Sequence, residues 1–189
     1  MSTASAPAAP AIVNGVNVTA WFETIDAVKA NAELANFNFR AKNAWIGGDR
    51  NRTTIKEFTG ALGEHRTGVQ AFIVDNGEPE ILFGDDDAPN PVEWLLHALL
   101  GCLATTTAYH GAARNIVIEA IDSEIEGDLD LRGFLGLSDD VRKGYSSLRV
   151  RMRVKTKAPP QTIEEITRMS PVYDVLSRSA PVKISIETY

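Results

Sequence analysis

One cysteine, Cys102, in 189 residues excludes an internal disulfide and any multi-cysteine zinc site. A lone free thiol fits the reducing cytoplasm better than the outside of a cell. Positive charge is also scarce. Nineteen lysines and arginines face 25 aspartates and glutamates, so the net charge is −6 and the cationic field of a general nucleic-acid binder is missing. The opening MSTASAPAAPAIVNG has no basic n-region and no long apolar core, which argues against a secretory leader. The glycines at 47, 48, 133 and 136 do not form a phosphate loop running into a helix. No histidine, cysteine or carboxylate spacing matches a metal site, and Asp85, Asp86 and Asp87 lack the other ligands of a calcium loop. Neither a metal nor another cofactor is therefore expected.

The longest apolar stretch, residues 92–113, has the length of a membrane span. It holds Glu93, His97 and His110, and no second span exists to receive such polar groups. A buried central helix is the better expectation, with no membrane partner.

What remains is the composition of an ordinary soluble domain: 44% hydrophobic and 23% charged residues. Residues 1–13 are rich in Ala, Ser, Thr and Pro and are expected to be a disordered tail. Residues 14–36 hold a short amphipathic helix, with Val18, Trp21, Phe22, Ile25 and Val28 at helical spacing behind Asn17 as cap. The main domain is expected over 37–189. There the period falls to two: FNFRAKNAWIG reads as a half-buried strand, residues 47–52 as a turn, TTIKEFTG as the returning strand and VQAFIVD as a third. Residues 76–91 read as a surface loop. Asn90-Pro91 opens the long helix, which is expected to reach about Arg114. Then come a long strand (IVIEAIDSEIEGDLDL), a loop and a strand (SLRVRMRVKTKA) whose Arg149, Arg151, Arg153 and Lys155 face solvent. A helix starting at Pro159-Pro160, a short helix from Pro171 and a closing strand, PVKISIETY, complete the chain. The order predicts an α+β fold with antiparallel pairing, and a helix apolar on nearly all faces asks for a second copy to cover it.

Cys102 lies mid-helix, where two readings stay open: a small buried hydrophobe, or a reactive thiol. It is about eleven residues from the helix start, beyond the reach of the macrodipole, so activation would need a cation from another element. Glu93, in the first helical turn, either complements the dipole or holds an arginine beside Cys102. Arg50 and Arg52, placed in the hairpin turn, are either solvated or that arginine. His97 is five residues before Cys102, off the three- and four-residue helical neighbours, so a Cys-His pair is poorly aligned.

PNPVEWLLHALLGCLATTTAYHGAARN resembles the central helix of the OsmC/Ohr family, which opens with Asn-Pro and carries its reactive cysteine about eleven residues later. The resemblance extends from about Phe37 through EGDLDLRGFLGLSDDVRKGY to SPVYDVLSRSAPVKISIE, and the N-terminal helix looks like the extension of a longer subgroup. It implies an OsmC-like α+β fold, with antiparallel sheets wrapped around long central helices in an intertwined homodimer. It also implies a thiol peroxidase acting on organic hydroperoxides or hydrogen peroxide in oxidative stress.

By the same resemblance Cys102 matches the peroxide-attacking cysteine. Arg52, with Arg50 as second choice, matches the hairpin arginine that lowers the thiol pKa. Glu93 stands one residue past the position of the glutamate that orients this arginine, where the chain has Val92, a shift of about 100° around the helix. At the family's second cysteine the chain has Ser170-Pro171, so no two-cysteine cycle can run within one chain. The expectation is a cytoplasmic one-cysteine peroxidase regenerated by an external thiol. The alternative is a non-catalytic protein holding a small hydrophobic ligand in a dimer-interface pocket.

Overall fold

The computed structural model describes residues 11–178. Most of the expected tail and all of the expected closing strand, residues 181–189, lie outside the described residues. The chain divides into two compact units, one built on Asn17–Leu95 and the other on Ile12–Val16 with the chain from Leu96 onward. The architecture is the mixed α+β arrangement with antiparallel sheets that the sequence predicts.

The description begins with a small hairpin, β1 (Ile12–Val13) and β2 (Val16–Asn17). Asn14 and Gly15 between them both have positive φ, 51° and 77°, the backbone of the tight turn whose twist matches paired strands. Strand structure here was not anticipated.

In the first unit, α1 (Val18–Ala30) starts where Asn17 accepts a hydrogen bond from the Ala20 amide, as its position predicts. A single 3-10 turn, Ala32–Ala35, follows. Four strands make the sheet: β3 (Asn38–Gly47), β4 (Arg50–Gly60), β5 (Gly63–His65) and β6 (Phe72–Asn76). All partners are antiparallel to β4, which pairs with each of the other three. The expected turn at 47–52 is shorter than its sequence suggests. Gly47 pairs with Arg50, so Arg50 and Arg52 sit on β4 and not in a turn. The cause is an amide ladder: the Asn51 side-chain oxygen accepts from Asn43 at 2.7 Å and from Asn76 at 3.0 Å, holding polar residues in strand register without hydrophobic alternation.

The half-burial expected for β3 is also corrected. Residues 38–46 are exposed throughout, and Phe39 keeps 68% of its surface in solvent. A register shift between Phe39 and Ala41 keeps Phe39 opposite Phe58 and Ala41 opposite Ile55 on one apolar face. On it Phe37, Phe39 and Phe58 stack with ring centroids 5.0–6.3 Å apart.

The long helix α2 (Pro91–Ala113) begins in the first unit and continues into the second. Its end is set by Asn115 in the left-handed region, with the Ile116 amide bonding back to the Gly111 carbonyl at 2.8 Å. Among the described residues no helix is long and apolar enough to cross a membrane. The second unit adds β7 (Ile118–Asp128), α3 (Leu131–Phe134), β8 (Ser147–Thr156), α4 (Pro160–Thr167) and α5 (Pro171–Arg178). The loop expected before β8 thus contains a short helix. The basic stripe of β8 lies opposite acids of β7: Arg149 meets Glu126 and Asp128, Arg153 meets Asp122, and Lys155 meets Glu119. The core gathers Leu99, Leu103 and Ala112 of α2 with Ile163 and Ile166 of α4. The Thr107 and Thr167 hydroxyls join these two helices at 2.8 Å.

Asn14 ties this unit together. Its amide donates to the carbonyls of Ala108 and Ile116, at 3.2 and 2.9 Å, and its oxygen accepts from the Ile118 amide at 2.8 Å. Asn14→Ala leaves these part-buried groups without their partner and removes a residue suited to positive φ. Urea unfolding should show a loss of about 1–3 kcal/mol; an unchanged midpoint would mean that the three bonds are replaced by water at no cost.

Candidate active site

Cys102 is a free thiol and only partly buried. Leu99, three residues before it, and Thr106, four residues after, are both buried, so Cys102 borders the buried stripe of α2. Gly101, beside it, is exposed, and a Cβ there would meet nothing within 4 Å. The thiol therefore stands at the margin between core and solvent.

Arg50, Arg52 and Glu93 belong to the first unit and Cys102 to the second. Arg52 faces Asp75 directly across the β4–β6 ladder. Its Nε donates to one carboxylate oxygen at 2.7 Å and its Nη2 to the other at 2.8 Å, a two-pronged pair. These hydrogen bonds, with the opposite charge behind them, push the Asp75 carboxyl below its ordinary range and raise Arg52. Asp75 is held in turn: its backbone carbonyl accepts the Trp94 indole N–H, from the first turn of α2, at 3.2 Å. Arg50 pairs with Asp87 of the loop before α2 at 2.6 Å.

The structure places Glu93 in a reciprocal capping box. Its carboxylate accepts the Asn90 amide at 2.9 Å, and the Asn90 side chain accepts the Glu93 amide at 2.9 Å. The carboxylate that meets Arg52 is thus Asp75. Sequence reasoning passed over Asp75, although it ends the third expected strand, and pairing that strand with the extended β4 brings it opposite Arg52.

Ser170 is completely buried. Its hydroxyl accepts the Tyr173 amide at 3.2 Å, which caps α5 with Pro171 at the first helical position. Elsewhere in the second unit, an open groove of about 670 Å³ runs between β8 and α4. It is lined by Leu103, Val150, Met152, Val154 and Ile163, with Glu164, Arg168 and Tyr173 among its polar neighbours. Among the described residues no three histidine, cysteine or acidic side chains converge as a metal site. His110 has its pKa lowered, first by burial and then by the charge of Arg114 one turn on.

The sequence matches the model of the OsmC-like protein family over residues 84–185, more than half of the chain. No curated protein matches it by sequence. An OsmC-like protein from Mycoplasma pneumoniae superimposes with a TM-score of 0.55 at 12% identity, covering 75% of this chain and 89% of its own. An OsmC-like protein of unknown function from Vibrio cholerae gives 0.52 at 11% identity, with 72% and 92% covered. A Psychrobacter arcticus protein assigned to osmotic stress and detoxification response gives 0.52 at 14%, with 71% and 85% covered.

The Arg52–Asp75 pair makes a pH prediction. A carboxylate whose folded pKa is depressed contributes above its unfolded pKa, and the contribution is lost as pH falls through the folded value. In Arg52→Gln the Asp75 carboxyl should titrate higher, back toward the ordinary aspartate range, in a carboxyl-carbon NMR titration. An unmoved titration would show that the pair does not hold in solution.

Proposed function

This chain belongs to the OsmC-like protein family, and on that premise we propose that it is a one-cysteine thiol peroxidase of the cytoplasm, working as a homodimer. The observation that carries the reading is the pairing of a partly exposed Cys102 on α2 with a buried serine at Ser170. The first is the thiol a peroxide must reach. The second stands at the family's second cysteine and is committed to capping α5.

The chemistry balances without a second cysteine in the chain. The Cys102 thiolate attacks one peroxide oxygen, forming an S–O bond as the O–O bond breaks. The sulfur loses two electrons and becomes a sulfenic acid, and the peroxide is reduced to an alcohol, or to water from hydrogen peroxide. An external thiol condenses with the sulfenic acid, releasing water and leaving a mixed disulfide. A second external thiol attacks that disulfide, frees the oxidised reductant and restores the Cys102 thiol. Arg52, with Arg50 as second choice, is the cation assigned to the thiolate, and Glu93 to the helix start that presents the site.

The exposed aromatic face of the first sheet and the exposed Leu95 and Tyr109 of α2 support a second copy, since an apolar surface of this extent favours a partner. We assign residues 37–189 to the OsmC-like domain, with 14–36 as its extension. The apolar groove of the second unit favours one other reading, a protein that binds a small hydrophobic molecule without turning it over.

Peroxide consumption separates the two. Purified protein should consume cumene hydroperoxide or hydrogen peroxide with dithiothreitol as reductant, and Cys102→Ser should abolish the activity. Absence of turnover, with Cys102 still a thiol by mass spectrometry, would remove the peroxidase and leave the binding protein.

A further inference from the structure

We infer that Met169 and Arg114 form a thioether oxidation site, at which a hydroperoxide converts Met169 to its sulfoxide and the guanidinium receives the new oxygen. The site does not depend on the chemistry of Cys102, and both of its residues belong to the second unit. Two observations carry it. The first is exposure on a fixed backbone. Met169 keeps 52% of its surface in solvent, although Ile166 before it and Ser170 after it are buried almost completely. The Met169 amide donates to the Ile166 carbonyl at 3.0 Å and the Ser170 amide to the Thr167 carbonyl at 3.1 Å. The corner between α4 and α5 thus presents this sulfur to water. The second observation is a cation aimed at it. Arg114 Nη2 donates to the Met169 sulfur at 3.9 Å, and the Arg114 amide is bonded to the Gly111 carbonyl at 3.0 Å in the last turn of α2. The charge of this guanidinium is felt nearby, since it adds to burial in lowering the pKa of His110.

A thioether is a weak acceptor, so the reduced sulfur gives the guanidinium little. Oxidation gives it more. The sulfur lone pair attacks the terminal oxygen of the hydroperoxide, and an S–O bond forms as the O–O bond breaks. Negative charge develops on the departing oxygen, where a neighbouring cation stabilises it. The proton of the attacked oxygen passes to the departing one, which leaves as water or an alcohol. The sulfur loses two electrons and the peroxide gains them. The sulfoxide oxygen is a strong acceptor, and its hydrogen bond from Arg114 is charge-assisted. The end of α2 is then tied to the corner between α4 and α5 more firmly than before. Met152 supplies the contrast within the same unit: it is half-buried and lines the apolar groove.

The test follows sulfoxide at each methionine by peptide mass spectrometry while the full-length protein reacts with excess hydrogen peroxide and no thiol. N-acetylmethionine amide in the same solution is the reference. Met169 should be oxidised faster than Met152 and about threefold faster than the reference, the size of effect an exposed charge can supply. Arg114→Ala should return Met169 to the reference rate, and Arg114→Lys should recover part of the gain. Should Arg114→Ala fold poorly, the unaltered protein still decides, because high salt screens an exposed charge and should erase the gain over the reference. In the oxidised protein the Arg114 side-chain N–H resonances should have moved. A Met169 rate that neither Arg114→Ala nor salt changes would leave only an exposed methionine and overturn the site. A Met169 no faster than Met152 would overturn it as well, and unmoved Arg114 resonances would remove the guanidinium as holder of the sulfoxide.

Discussion

A helix of 23 residues with almost no polar face cannot be solvated along its length, and the structure is organised by that constraint. One stripe of α2, through Leu99, Leu103, Thr106 and Thr107, is buried. The hydroxyl bridge to Thr167 fixes which part of α4 it meets, because a buried hydroxyl must find a partner. The rest of the helix surface keeps Leu95 and Tyr109 exposed. Cys102 lies where these two regimes adjoin. That border position, rather than any sequence neighbour, leaves the thiol only partly buried.

Much of this was legible beforehand. The start of α2 at Asn90-Pro91 is a cap followed by a proline at a position where no donor is lost, and both signals are local. The alternation of β7 and β8 was equally plain, because charged residues on one side and apolar on the other repeat every second position. Two features escaped for physical reasons. The polar start of β4, Arg50-Asn51-Arg52, reads as a turn because its stabilisation comes from cross-strand amides on Asn43 and Asn76, which no single segment reveals. Asn14-Gly15 is a strong hairpin signal, but the short strands around it sit beside a low-complexity stretch that masks them. At the candidate site, Cys102 and Ser170 could be singled out by resemblance. The partner of Arg52 could not, since it depends on strand register.

Ser170 also has a structural meaning. An oxygen at the start of α5 accepts a backbone N–H well, whereas a thiol is a weak acceptor. In this chain the position serves helix geometry, and complete burial of Ser170 keeps it from solvent. On the peroxidase reading proposed above, the redox burden rests on one sulfur, which exposes it to further oxidation whenever reductant is short, because sulfenic acid proceeds to sulfinic acid with excess peroxide.

The contacts of Asn14 bear on the order of events during synthesis. Asn14 leaves the ribosome early, yet its partners Ala108, Ile116 and Ile118 follow roughly a hundred residues later. Closing such a loop is slow compared with forming a local helix, so the second unit cannot complete its hydrogen bonding until most of the chain has emerged. Until then the amide and carbonyls that Asn14 serves are left to water.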